Sequence, residues 1–252
     1  MVHFVGAGPG AVDLITLRGA RLLEAADVVV YAGSLVNPAL RAHCKDGCAV
    51  YNSATMTLDE VLAVLLDAEA AGRDAVRLHT GDPSLYGAIR EQMDALDKRG
   101  IRYDYTPGVS AFCGAAAELN MEYTLPDVSQ SVVITRMAGR TPVPERESVR
   151  AFAAHRATMV LFLSAGLLEK AQEELLAGGY EPDTPAAIVY KASWPDERTY
   201  LCTVSSLASC ARENGVRKTA LIIVGDAVKQ SGYARSELYN PTFATGFRPI
   251  KE

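Results

Sequence analysis

The sequence predicts an α/β protein built as two α/β domains with a cofactor cleft between them. Short β-branched runs alternate with helical patterns, which is the signature of α/β layering. The alternation pauses near Leu125-Pro126-Asp127 and then restarts. Glycine-rich and polar motifs fall just after strands, where open sheets bind their ligands. The expected division is therefore residues 1–125 and 126–252, with a site where the two domains meet.

In chain order, Val2–Gly6, Val28–Tyr31, Ala75–Thr80 and Ile101–Tyr105 read as strands of the first domain. Ser131–Arg136, Thr158–Leu163, Ala186–Tyr190, Thr199–Val204 and Ala220–Val224 read as strands of the second. Between strands the period changes. Thr57 and Glu60 have the spacing of a capping box, and Leu58, Val61, Leu62, Leu65 and Leu66 recur on one helical face. Asp82-Pro83 is a good helix start, with aspartate as N-cap and proline at the first helical position. Ser110 could likewise cap an alanine-rich helix over 111–119.

Composition narrows the function. A net charge of −5 argues against nucleic acid as the main partner, which would demand a basic face, so a small molecule is expected. No stretch approaches the ~20 apolar residues of a membrane helix. The opening Val2-His3-Phe4-Val5 reads directly as strand rather than as a signal peptide, so a cytoplasmic protein with no membrane partner is expected. The five cysteines, an odd number at irregular spacing, read as reduced thiols. The four histidines form no cluster at metal-ligand spacing, and no bound metal is expected. Neither a nucleophile elbow nor a P-loop is present.

Gly6-Ala7-Gly8-Pro9-Gly10-Ala11 lies between a strand and a helix and formally fits a dinucleotide fingerprint. Two features count against that reading. Pro9 has no N–H to offer a pyrophosphate, and the second strand, Val28–Tyr31, runs into Ala32-Gly33-Ser34 without the acid that would bind a ribose. A tight structural turn and a small cofactor without phosphates remain open alternatives.

The run from Val5 to Ala20, with Gly6-Ala7-Gly8-Pro9-Gly10-Ala11-Val12-Asp13 at its head, resembles the opening signature of the tetrapyrrole methyltransferases. Gly81-Asp82-Pro83-Ser84-Leu85-Tyr86-Gly87 and Pro107-Gly108-Val109-Ser110-Ala111 are similar to the next two signatures of that family, in the same order. Narrower similarities point to one branch, which methylates a ring carbon of a corrin precursor. They are Tyr31–Pro38, Thr135-Arg136 with Gly139–Glu145, Tyr190–Glu197, Leu238–Pro241 and Gly246–Arg248.

The resemblance implies S-adenosylmethionine as cofactor, S-adenosylhomocysteine as product and a tetrapyrrole as substrate. It implies cofactor contacts at Pro9, Thr80, Gly81, Asp82, Leu85, Tyr86, Ser110, Ala111, Leu163, Ala192 and Ala220. Leu163 stands where many relatives carry methionine. Arg136, Arg140 and Lys191 are candidates for holding substrate carboxylates, and Phe112 and Tyr123 for packing on the macrocycle, with surface charge and ordinary core as the alternatives. The substrate carbon is itself the nucleophile, so no catalytic residue is assigned. A homodimer is expected from the resemblance and from the prevalence of two-fold oligomers. Methylation of a different ring carbon, a diphthine-synthase-like protein methylator, and a cofactor-binding module without turnover are the competing readings.

Overall fold

In the computed structural model, residues 1–250 are described and form two compact units. The first comprises Met1–Ala115 together with Lys191–Glu197, and the second comprises Ala116–Tyr190 together with residues 198–250. The expected division at 125 thus moves ten residues earlier, and a seven-residue segment from the second half of the chain folds with the first. Nothing in the local sequence of either segment announces this, because the contacts that decide it span the chain.

The first unit is a five-stranded parallel sheet in the order β3-β2-β4-β1-β5. Its strands are β1 (Val2–Gly6), β2 (Val28–Tyr31), β3 (Ala49–Asn52), β4 (Ala75–His79) and β5 (Tyr103–Thr106). β3 is the strand that sequence reading omits. It is a four-residue edge strand, two of whose residues are exposed, so it carries no buried apolar run. The central strands β1 and β4 are buried at every residue, as expected for a parallel sheet covered on both faces. One face packs Val2, Phe4, Val28 and Val30 against Val61, Leu65 and Ala68 of α2 (Leu58–Ala70) and Met93 and Leu96 of α3 (Arg90–Asp97). The other packs Val5, Val29, Val76 and Leu78 against Leu23 of α1 (Leu17–Ala25) and against Val36 and Leu40.

Helix starts follow the predicted chemistry where a polar cap is available. Thr57 and Glu60 close a reciprocal box, with the Thr57 amide donating to Glu60 Oε2 at 2.7 Å and the Glu60 amide donating to Thr57 Oγ1 at 3.3 Å. Thr16 caps α1 by accepting from the Gly19 amide at 3.1 Å. Asp82-Pro83, by contrast, opens only a turn, and α3 does not begin until Arg90. The intervening backbone at Tyr86 and Ala88 is left-handed (φ 58° and 48°), which no helix accommodates. α4 (Ala111–Glu118) follows Ser110 as expected, the Ser110 carbonyl accepting from the Cys113 and Gly114 amides.

The second unit is a mixed sheet in the order β6-β7-β10-β8-β9. Its strands are β6 (Val132–Arg136), β7 (Thr158–Phe162), β8 (Pro185–Tyr190), β9 (Arg198–Thr203) and β10 (Ala220–Val224). β6 and β7 are parallel, whereas β10 runs antiparallel to both its neighbours, β7 and β8, and β8 and β9 pair antiparallel. A seven-residue connection between β8 and β9 is too short for a parallel crossover, which takes a dozen residues or more. Met159, Leu161, Ile188 and Ile222 pack on Leu168, Ala171 and Leu175 of α5 (Leu168–Gly178) and on Leu207 of α6 (Leu207–Glu213).

Candidate active site

The three glycine motifs of the first unit meet at the carboxyl ends of the adjacent strands β4, β1 and β5. Their glycines are there because backbone touches backbone. A Cβ on Gly6 would lie 2.5 Å from Gly108 Cα and 2.6 Å from the Gly81 oxygen, and one on Gly108 would lie 2.1 Å from that same oxygen. Gly81 is left-handed (φ +57°) and Gly8 likewise (φ +82°), so each needs the freedom of glycine. The Gly8 and Gly81 amides exchange bonds with each other's carbonyls at 3.3 and 2.8 Å, stitching the first loop to the second.

Asp82 fastens the second loop to the third. Its Oδ1 accepts from the Ser84 amide at 2.9 Å, the Ser84 hydroxyl at 2.5 Å and the Tyr105 hydroxyl, and its Oδ2 accepts from the Gly108 amide at 2.9 Å. Burial alone would raise the Asp82 pKa, but these donors outweigh it and hold the carboxyl below its ordinary value. Asp82 is therefore an ionised tie between loops; Gly108 is known from the sequence only as part of the third motif, and Tyr105 is a partner that the sequence does not single out. The available signal was Tyr105 itself, placed near the end of a strand that leads straight into Pro107-Gly108.

The first loop is not a phosphate cradle. The Ala7 amide donates to His79 O (2.7 Å), Gly8 to Gly81 O and Ala11 to Ser193 Oγ (2.9 Å), while Pro9 has no amide. A pyrophosphate site needs such N–H groups free and convergent. The Pro9 ring instead packs toward Gly114 of α4, where a Cβ would lie 3.0 Å from Pro9 Cβ. Beneath the loops, His79 is buried and its Nε2 has no hydrogen-bond partner. Burial, with the nearby Arg77 cation, pushes its pKa down to about 3, so it is neutral at physiological pH.

Of the residues implied by resemblance, Pro9, Thr80, Gly81, Asp82, Leu85, Tyr86, Ser110, Ala111, Phe112, Lys191 and Ala192 lie in the first unit. Tyr86 is 44% exposed on strained backbone. Leu163, Ala220, Tyr123, Arg136 and Arg140 lie in the second. There, Ala220 opens β10, paired with Tyr190 of β8, and Leu163 directly follows the last residue of β7. Leu163 is 63% exposed and left-handed (φ 51°). A bulky apolar side chain in both conditions costs free energy, and such strain clusters at ligand sites. Tyr123 is only 9% exposed, and its carbonyl accepts from the Thr158 hydroxyl. The Arg136 guanidinium is occupied by the carbonyls of Met137, Thr141 and Pro142, and Lys191 pairs with Asp196 at 2.6 Å; Arg140 is exposed. Among the described residues, no group of three His, Cys, Asp or Glu is placed to hold a metal.

Residues 1–208 match the profile of the family described as Tetrapyrrole (Corrin/Porphyrin) Methylases. The chain belongs to this family. Among tetrapyrrole methylases it is 49% identical to the cobalt-precorrin-4 C(11)-methyltransferase of Methanocaldococcus jannaschii, over 98% of this chain and 95% of that one. It is 46% identical to the precorrin-4 C(11)-methyltransferase of Mycobacterium tuberculosis, over 95% and 96%. The fold matches the X-ray structure of a cobalt precorrin-4 methyltransferase with a TM-score of 0.88 at 46% identity, covering 90% of this chain and 95% of that one. It also matches a uroporphyrin-III C-methyltransferase from Thermus thermophilus, complexed with S-adenyl homocysteine, with a TM-score of 0.77 at 30% identity over 91% and 99%. The tetrapyrrole methylase fold and the branch expected from the narrower motifs are thus both found.

Proposed function

We propose that this chain transfers a methyl group from S-adenosylmethionine to carbon 11 of precorrin-4 or cobalt-precorrin-4 in cobalamin biosynthesis. The observation that carries the proposal is identity of 46–49%, over nearly the whole chain, to relatives with that activity. The loop chemistry supports the cofactor. With the amides of Ala7, Gly8 and Ala11 engaged by protein acceptors and none on Pro9, the glycine-rich turn offers few donors to a pyrophosphate, which supports a ligand without phosphates. In the first unit Pro9, Thr80, Gly81, Leu85, Tyr86, Ser110, Ala111 and Ala192 are proposed to contact the cofactor, with Asp82 holding the loops that carry them. In the second unit, Leu163 and Ala220 are proposed as an apolar ligand-contact surface. Arg140, exposed and close in sequence to the committed Arg136, is proposed to meet a substrate carboxylate.

The cofactor supplies an electrophilic methyl group on a sulfonium. The protein's task is alignment, because a near-attack geometry can contribute up to ~7–11 kcal/mol without any protein nucleophile. Among the described residues, no helix is long and apolar enough to cross a membrane. We further propose a cytoplasmic homodimer, which sedimentation at twice the chain mass would support.

Calorimetric titration of the purified protein with S-adenosylhomocysteine, with NAD as control, tests the cofactor. Saturable binding of the thioether alone is expected, and binding of NAD alone would overturn the proposal. Methyl transfer to precorrin-4 and to cobalt-precorrin-4, compared side by side, identifies the substrate form.

A further inference from the structure

The segment Lys191–Glu197 folds with the first unit although it connects β8 to β9, and it holds the glycine-rich loop by three independent contacts. The Trp194 indole Nε1 donates to the Pro9 carbonyl at 3.1 Å. Ser193 Oγ accepts from the Ala11 amide at 2.9 Å. The indole also lies flush on Gly10, where a Cβ would stand 2.1 Å from Trp194 Cδ1 and 2.3 Å from Nε1. Gly10 is not among the residues with positive φ, so glycine is required there for the indole and not for the backbone angle.

The segment is itself braced. Lys191 Nζ binds Asp196 at 2.6 Å and sits 5.4 Å from the centroid of the Trp194 ring. Glu197 accepts from the Ser193 amide at 2.5 Å, and the Trp194 amide donates to the Lys191 carbonyl at 2.9 Å. Lys191 and Ser193 are both left-handed (φ 49° and 67°), a conformation that persists only where surrounding contacts over-determine it.

Resting on the cofactor assignment above, we infer that Ser193 and Trp194 are positioning residues: they set the conformation of Pro9-Gly10-Ala11 to which S-adenosylmethionine binds. Affinity for the cofactor is then controlled from the β8–β9 connection as well as from the loop itself. Trp194 is the sole tryptophan of the chain, so its emission reports directly on this contact.

The test is titration of parent, Trp194→Phe, Gly10→Ala and Gly10→Ala/Trp194→Ala proteins with S-adenosylhomocysteine, with urea midpoints followed by circular dichroism. The ligand should change the emission of the parent. Trp194→Phe keeps a ring over Gly10 but loses the donor to Pro9, and should weaken binding about fivefold, as one net hydrogen bond implies, while the urea midpoint falls by no more than the loss of that one bond. Gly10→Ala should bind more weakly still, and removing the indole from that variant should restore part of the affinity because the added methyl then has room. If the parent binds while Trp194→Phe keeps the parental Kd, and the double variant binds no better than Gly10→Ala, the inference is overturned. If the parent itself fails to bind, it is the cofactor assignment that falls.

Discussion

Gly108→Ala is the sharpest probe of how the three loops are assembled. The new Cβ would stand 2.1 Å from the Gly81 oxygen and 2.7 Å from Gly6 Cα, so the backbones must part by about 0.9 Å before the first contact reaches even 3.0 Å. Neither neighbour is a side chain that can swing aside. Gly6 is held in β1 by pairing with β4 on one side of the strand, and Gly81 by its paired bonds to Gly8. Overpacking of this kind costs about 1–3 kcal/mol. Separation also breaks the bond from the Gly108 amide to the Asp82 carboxylate, a charge-assisted contact of about 1.5–3 kcal/mol. The expected loss is about 2.5–6 kcal/mol, a large part of the ~5–15 kcal/mol that holds a typical domain folded. Trp194 belongs to the first unit, so its emission during urea unfolding follows the affected half of the chain. Gly246→Ala, where nothing lies within 4 Å, is the control and should be neutral within ~0.5 kcal/mol. A Gly108→Ala midpoint indistinguishable from that control would refute the view that these glycines exist for backbone contact.

Two further outcomes are expected. His79 has its pKa depressed to about 3, well below the ~6.5 of an unfolded chain, so the unfolded state takes up a proton first as pH falls. Its contribution to stability is complete above about pH 6.5 and is lost progressively down to about pH 3. A His79→Leu protein should therefore lose less stability than the parent between pH 7 and pH 5, and equal losses in urea midpoint would contradict the assignment. Leu163→Asn replaces an exposed, left-handed leucine by a residue that tolerates that conformation, so stability should hold or rise by up to about 1 kcal/mol. Affinity for S-adenosylhomocysteine should nevertheless fall; an unchanged Kd would remove Leu163 from the ligand surface.

What the sequence by itself determined is what depends on neighbours along the chain. Strands such as Val28–Tyr31 and Ala220–Val224 announce themselves by buried β-branched runs, and α2 by its capping box and helical stripe, because propensity and periodicity act over a few residues. The family was legible for a related reason: its loops must be glycine where backbones collide, so the motifs survive as short strings. Only the tertiary structure decided that those strings meet at one point and that Asp82 is saturated by Tyr105, Gly108 and Ser84. It also revealed β3, whose pairing with β2 and not its own pattern makes it a strand. The antiparallel direction of β10 and the placement of Trp194 on Gly10 belong to the same class, the latter a contact between residues more than 180 positions apart. Such contacts are selected by the packing of the whole chain, and no local signal encodes them.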